Sequence, residues 1–335
     1  MRKAFVVVAL GLGLAFGEAA KVVQRTVRRA VVVPTGVVLS LSHRFGGLAV
    51  TGTDGDSCIL EARIVVSGRS TVQVRRLAEK VDVMVRLKPE TLEAVTIYPG
   101  TPAQDSSLSC EVDLNVRAPE LAPLSVSNAF GDILLRGMKE MCWAAVRYGR
   151  LDLSGCGSAE LSGRHGNISV FDLQGSLVIE NDFGDVLLRG VRGEVRIANR
   201  YGHVEVRRTG GAVRIENGFG SVECRQDSGT LSVDNRLGNV RVWFDGVRLK
   251  TLSLVSRVGR IELNVQSGAN CRLRGLVRRG TILAGLPLQV VEEGGWRRIE
   301  GLVGNGGSEI EFLTYDGDVV VRTETTDDSL PGDAR

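Results

Sequence analysis

The sequence predicts an all-β chain: a parallel β-solenoid, or β-helix, of about ten coils built on an 18-residue repeat, with a small α+β insert near the N-terminus acting as a cap. Three observations predict it. Five near-identical units of 18 residues begin at Gly157, Gly175, Gly193, Gly211 and Gly229. Within a unit, apolar residues alternate with period two on both sides of a glycine, as in Val213, Ile215, Phe219, Gly220, Val222 and Cys224. That is the pattern of two half-buried strands joined by a corner. Forty-two glycines and only 5% aromatic residues suit short strands and frequent turns.

Residues 1–20 read as an export signal. Arg2 and Lys3 precede an apolar run from Phe5 to Phe16, and Gly17-Glu18-Ala19-Ala20 supplies small residues for cleavage, so periplasm, cell surface or medium is the expected location. Residues 21–121 hold a first coil (Leu39 to Val50) and the insert. Ser70-Thr-Val-Gln73 is a capping box, with Val74, Leu77, Ala78 and Val81 behind it at helical spacing, which predicts one amphipathic helix of about 11 residues. Alternating runs at 58–66, 81–87, 92–98 and 110–116 predict strands, and the insert is expected over the open end of the stack. Residues 122–325 carry the repeats, with an irregular excursion at 285–307; Ile310 to Val321 is expected to close the stack with one more regular unit. Residues 326–335 read as a disordered tail.

At the corner, Gly131, Gly149, Gly166, Gly184, Gly202, Gly220 and Gly238 recur at spacings of 18 or 17. Two residues before the aromatic, Asn128, Asn181, Asn199, Asn217 and Asn235 fall on the inward parity. Stacked about 4.8 Å apart, their amides can bond along the column and to corner backbone groups, a structural ladder rather than a site. The aromatic itself (Tyr201, Phe219) is read as inward too.

Several chemistries are excluded. A net charge of +3 with both signs interspersed gives no reason to expect nucleic acid. No Cys/His cluster stands at ligand spacing, so no metal or cofactor is expected. Left-handed hexapeptide solenoids need an apolar residue every six, and calcium-binding nonapeptide rolls need Gly-Gly-x-Gly-x-Asp; the units have neither. Of the six cysteines, Cys58 and Cys110 lie on the apolar parity of two strands and would meet if those strands were neighbours, and Cys224 reads as a small buried hydrophobe.

The recurring Asn-x-aromatic-Gly-x-Val pattern, with the closing stretch Gly306 to Val319, resembles the bacterial putative adhesin family, head-domain solenoids of unknown function in exported and membrane-linked proteins. The resemblance spans residues 37–322 and implies a β-solenoid at the cell envelope; it brings no catalytic residues. Val146, Gly163 and Ser256 depart from it at the corner Asn.

On the outer parity, Arg189, Arg207 and Arg225 hold one position in consecutive units, with Trp243 next and Arg136 further back. Such a column suits an acidic polysaccharide or lipid phosphate. The reading is therefore a non-enzymatic, exported solenoid presenting a repetitive surface to an envelope polysaccharide, lipid head groups or a surface protein. The alternatives are a glycosidase or lyase using Asp185, Glu205 and Glu223, and a self-assembling envelope subunit. His43, His165 and His203 fall at scattered repeat positions and read as packing or surface.

Overall fold

The computed structural model describes residues 10–11, 20–99, 108–226, 228–244 and 249–324. Apart from residues 10–11 and 20, the export segment lies outside the described residues, as does the 326–335 tail. The chain is an all-β solenoid with one helix among the described residues, and it divides into two compact units, Met1–Gly166 and Asn167–Arg335.

In both units a coil consists of two strands, one in each of two facing, mostly parallel sheets, joined at a glycine corner. The period-two parity decides which side chains meet between the sheets. In the second unit Leu177, Val195, Val213, Leu231, Leu252, Ile310 and Leu273 are all buried and stand in one column of the first sheet. Each such aliphatic contributes about 1.5–3 kcal/mol on burial, but only a neighbour above and below completes it, so one coil cannot stand alone.

In the first unit, Val38–Phe45 and Leu48–Thr53 form a coil that is second in the stack although first in sequence. On one side it pairs with Leu124–Phe130 and Ile133–Arg136; on the other with Thr91–Ile97 and Leu108–Pro119. Beyond these, Asp82–Leu87 and the antiparallel pair Ser57–Gly68 and Lys21–Val32 make the outer layer. The helix, Thr71–Lys80, is N-capped by Ser70, whose Oγ accepts from Gln73 N–H at 3.5 Å, and it buries Val74 and Ala78 against the two long strands. At its other end the Arg25 guanidinium donates to the orphan carbonyls of Ala78 and Glu79 at 3.1 and 2.9 Å.

Ser57–Gly68 and Leu108–Pro119 are neighbours, yet Cys58 and Cys110 do not meet. The strands run antiparallel with Val66 opposite Cys110, while Cys58 lies at the far end, opposite Val31. Eight residues of extended chain put the thiols roughly 26 Å apart.

In the second unit, Ser308–Asp316 and Val319–Glu324 do not close the stack. They lie one coil in, between Leu249–Val258 with Ile261–Gln266 on one side and Cys271–Arg279 with Ile282–Ala284 on the other. The excursion takes the outer place: Trp296–Val303 pairs antiparallel with Cys271–Arg279, and Gln289–Glu293 pairs with Trp296–Val303 and forms the sheet edge. Two features account for this order. Phe312 fills the space beside Gly275, where a Cβ would stand 2.0 Å from its ring, so the two strands are made for each other. A regular apolar strand at the edge would also invite further pairing, whereas Gln289–Glu293 is exposed throughout and ends on Glu292 and Glu293.

Candidate binding face

The inner side of the corner is a hydrogen-bond ladder. In the second unit Asn181, Asn199 and Asn217 each donate from Nδ2 to the Oδ1 of the next asparagine (Asn199, Asn217 and Asn235) at 3.2, 3.1 and 3.0 Å. The same amides reach the corner carbonyls: Asn181 to Gly184, Asn217 to Gly220, and Asn235 to Gly238, at 2.8–3.1 Å. In the first unit Asn128 stands without amide neighbours, between His43 and Val146; it donates to the Gly46 carbonyl at 2.8 Å, and its Oδ1 is buried without a partner. Gly131, Gly184, Gly202, Gly220 and Gly238 all have φ between +125° and +142°, a region L side chains rarely enter.

His43 holds the ladder position of the first coil. It is buried, with Nδ1 2.9 Å from Thr96 Oγ1 and Nε2 2.8 Å from the Val112 carbonyl. Nε2 therefore carries the proton and Nδ1 accepts from the threonine hydroxyl. Burial lowers the His43 pKa below 6.5; backbone hydrogen bonds and the charge of Asp113 oppose this in part. The folded chain thus takes up this proton less readily than the unfolded chain. The stability involved is fully present above pH 6.5 and is lost as pH falls below it. Unfolding free energies from urea denaturation, measured from pH 7.5 down to 5, should fall faster for the wild type than for His43→Asn, with a one-proton limit of about 1.4 kcal/mol per pH unit.

The outer side of the corner differs from the sequence expectation. Tyr201 is 39% exposed and Phe183 42%, so the corner aromatic stands outside the core. Strand pairing passes from Asn199↔Asn217 directly to Tyr201↔Phe219, and this break before the corner ends the alternation that had pointed the ring inward. The rings stack on one another instead: Phe45, Phe130, Tyr148 and His165 in the first unit, and Phe183, Tyr201 and Phe219 in the second, with centroids 4.8–5.3 Å apart.

Two residues past the aromatic runs a second ladder that sequence reasoning missed. Here a side chain accepts from the backbone N–H of the next coil: Asp132 from Arg150, Asn167 from Asp185, Asp185 from His203, His203 from Ser221, and Asn239 from Arg260, at 2.8–3.2 Å. Asp318 does the same with Thr281, and the hydrogen bonds from the Thr281 backbone and hydroxyl hold its carboxyl below the usual value. The signal was legible as a polar residue after each corner glycine.

The arginine column lies on the second strand of each coil. Cross-strand register places Phe171, Arg189, Arg207, Arg225 and Trp243 side by side, followed by Asn264 and Arg322. The neighbouring outward column reads Leu187, Glu205, Glu223, Arg241 and Glu262. Arg207 Nε lies 2.5 Å from Glu205, Arg241 bridges Glu223 and Glu262 at 3.3 and 3.1 Å, and Arg322 meets Glu262 at 3.1 Å. Arg241 also lies over the Trp243 ring at 5.9 Å. Beside Arg189 the place of the carboxylate is taken by Leu187. Over the two columns five guanidinium groups face three carboxylates, a net charge of +2.

The carboxylates weighed as an acid–base pair are engaged elsewhere: Asp185 in the backbone ladder, Glu205 with Arg207, and Glu223 with Arg241. Among the described residues no group of three or more His, Cys, Asp or Glu side chains could hold a metal ion, and no helix is long and apolar enough to cross a membrane.

No protein-family model matches the chain, and no curated protein matches it. Among solved structures, a putative cell adhesion protein from Clostridium sporogenes is similar over 89% of this chain and 99% of its own, at 12% identity and a TM-score of 0.22. A putative lipid binding protein from Parabacteroides distasonis is similar over 88% and 96%, at 10% identity and a TM-score of 0.33. A putative adhesin from Bacteroides fragilis is similar over 89% and 97%, at 10% identity and a TM-score of 0.25.

Proposed function

We propose that this chain is an exported, non-enzymatic solenoid that binds an acidic polysaccharide of the cell envelope through Arg189, Arg207, Arg225 and Trp243. The observation that carries the reading is the cross-strand register of the three arginines between Phe171 and Trp243. Adjacent strands repeat about every 4.8 Å, so the column offers cations at regular intervals to a polymer bearing regular anions, with an aromatic side chain at each end for the sugar rings. The two columns keep an excess of positive charge, and Leu187 stands beside Arg189 where Glu205 stands beside Arg207. The engagement of Asp185, Glu205 and Glu223 with other groups favours binding over hydrolysis.

The test is binding of the purified chain to an acidic polysaccharide, a neutral one and anionic lipid vesicles, beside a variant with Arg189, Arg207 and Arg225 changed to Ser. The acidic polysaccharide should bind saturably and more weakly as salt rises, and the variant should lose about tenfold or more in affinity, roughly three surface charge contacts. Preference for vesicles would move the ligand to lipid phosphate. Equal binding by both versions, or none by either, would make the column a solvated face.

A further inference from the structure

Cys142 and Cys156 occupy the first and last inward positions of a single coil. Cys142 opens the strand Cys142–Tyr148, and Cys156 follows Leu151–Ser154 at the second corner, where that coil ends. Both are essentially inaccessible, at 0% and 1% exposure. Cys142 Sγ donates to the Glu140 carbonyl at 3.7 Å and Cys156 Sγ to the Ser154 carbonyl at 3.3 Å, and the two thiols are near enough for each to shift the other's titration. The backbone around them is drawn tight: Cys142 N–H donates to the Ser158 carbonyl at 3.0 Å and Gly157 N–H to the Met138 carbonyl at 2.8 Å. In the strand columns on either side, the Cys142 position is held by Leu124 and Ala159, so sulfur is not what the packing alone requires.

The other described cysteines have no such neighbour. Cys58 and Cys110 lie at opposite ends of their strand pair, Cys224 stands between Val206 and Val242, and Cys271 stands between Val303 and Ser308.

We propose that Cys142 and Cys156 are a disulfide-forming pair that closes one coil of the solenoid into a covalent ring when the chain folds against a disulfide donor. One of the two thiols, as its thiolate, attacks the donor RSSR before the coil is sealed, forming a mixed disulfide Cys–S–S–R and releasing RS⁻. The other thiol loses its proton to solvent and attacks the cysteine sulfur of that mixed disulfide, forming the intramolecular bond and expelling a second RS⁻. Two thiols are oxidised, one donor disulfide is reduced, and the two released protons end on the two RSH. The ring ties the start of a coil to its end, so the coil cannot unwind while the bond holds.

The experiment uses the purified full-length chain, reduced and refolded in a mixture of oxidised and reduced glutathione, then denatured, alkylated without reductant and digested. A Cys142–Cys156 linked peptide, two hydrogens lighter than its reduced parts, is the expected product. The oxidised protein should melt about 5–10 °C above the same protein held reduced. Cys142→Ala should fold, since Ala159 holds that column position in the next coil, and should lose both the link and the shift; Cys156→Ala repeats the test from the other side. The proposal is overturned by full alkylation of both cysteines in the refolded wild type, by a link to a different cysteine, or by a melting shift that survives in Cys142→Ala. Because the redox buffer supplies the oxidant, the result is independent of where the cell delivers the chain.

Discussion

Asn217→Ala should destabilise the protein by about 3–5 kcal/mol, although it removes no more than a small polar side chain. Asn217 sits inside the ladder: its Oδ1 accepts from Asn199 at 3.1 Å, and its Nδ2 donates to Asn235 at 3.0 Å and to the Gly220 carbonyl at 3.0 Å. The alanine leaves the Asn199 donor and the Asn235 acceptor without those partners in a region water does not reach. A buried polar group stripped of its partner costs about 1–3 kcal/mol, and here there are two. The Gly220 carbonyl is spared, because Asn235 also donates to it at 3.2 Å. Asn128→Ala is the comparison. That residue makes one bond, to the Gly46 carbonyl, and its Oδ1 is already unpaired, so the change strands a single group and should cost about 1–2 kcal/mol. Urea denaturation of the two variants measures the difference. Equal losses would mean that connection along the column contributes nothing beyond each separate bond.

The fold was legible because local chemistry and long-range pairing obey one period. Gly202, Asn199 and the Val204–Val206 alternation recur every 18 residues, and a parallel stack with constant register needs nothing more to bring like residues together. Sequence reasoning failed where that constancy stops. Tyr201 was misassigned because one unpaired residue before the corner undoes a parity that held for the five residues before it. The placement of Ser308–Asp316 one coil inward was hidden because pairing order is a property of strand edges, and the local alternation of a strand is the same wherever it stacks. The clue existed in Gly275, a glycine on the inward parity with no corner to make, which announces a large neighbour. Cys58 and Cys110 show the same limit: each strand was read correctly, but antiparallel register, which decides whether residues meet, is set by turns outside both strands. As for the outer face, sequence alone aligned Arg189, Arg207 and Arg225, whereas the ion pairs that engage Glu205 and Glu223 depend on side-chain reach across neighbouring strands.

Gly202→Ala should have a larger effect still, at least about 4 kcal/mol and enough to leave much of the protein unfolded or insoluble. Two separate costs combine at this corner. The backbone there has φ +142°, a conformation in which an L side chain is strained whatever surrounds it. In addition, an alanine Cβ would stand 2.0 Å from the Gly184 carbonyl oxygen and 2.5 Å from its carbon. Both are backbone atoms of the preceding coil and cannot swing aside as a side-chain end would. Relief requires spreading two coils whose spacing of about 4.8 Å is fixed by the hydrogen bonds of both sheets. The strain would therefore spread into the pairs Asn181↔Asn199 and Val186↔Val204 on either side of the corner. Gly36→Ala separates the two costs, because Gly36 has φ +83° but nothing within 4 Å of its Cβ position. Only the conformational penalty remains there, about 1–2 kcal/mol. A soluble Gly202→Ala that melts with the Gly36→Ala variant would show that adjacent coils can part at the corner, and that the recurrence of glycine answers to φ alone.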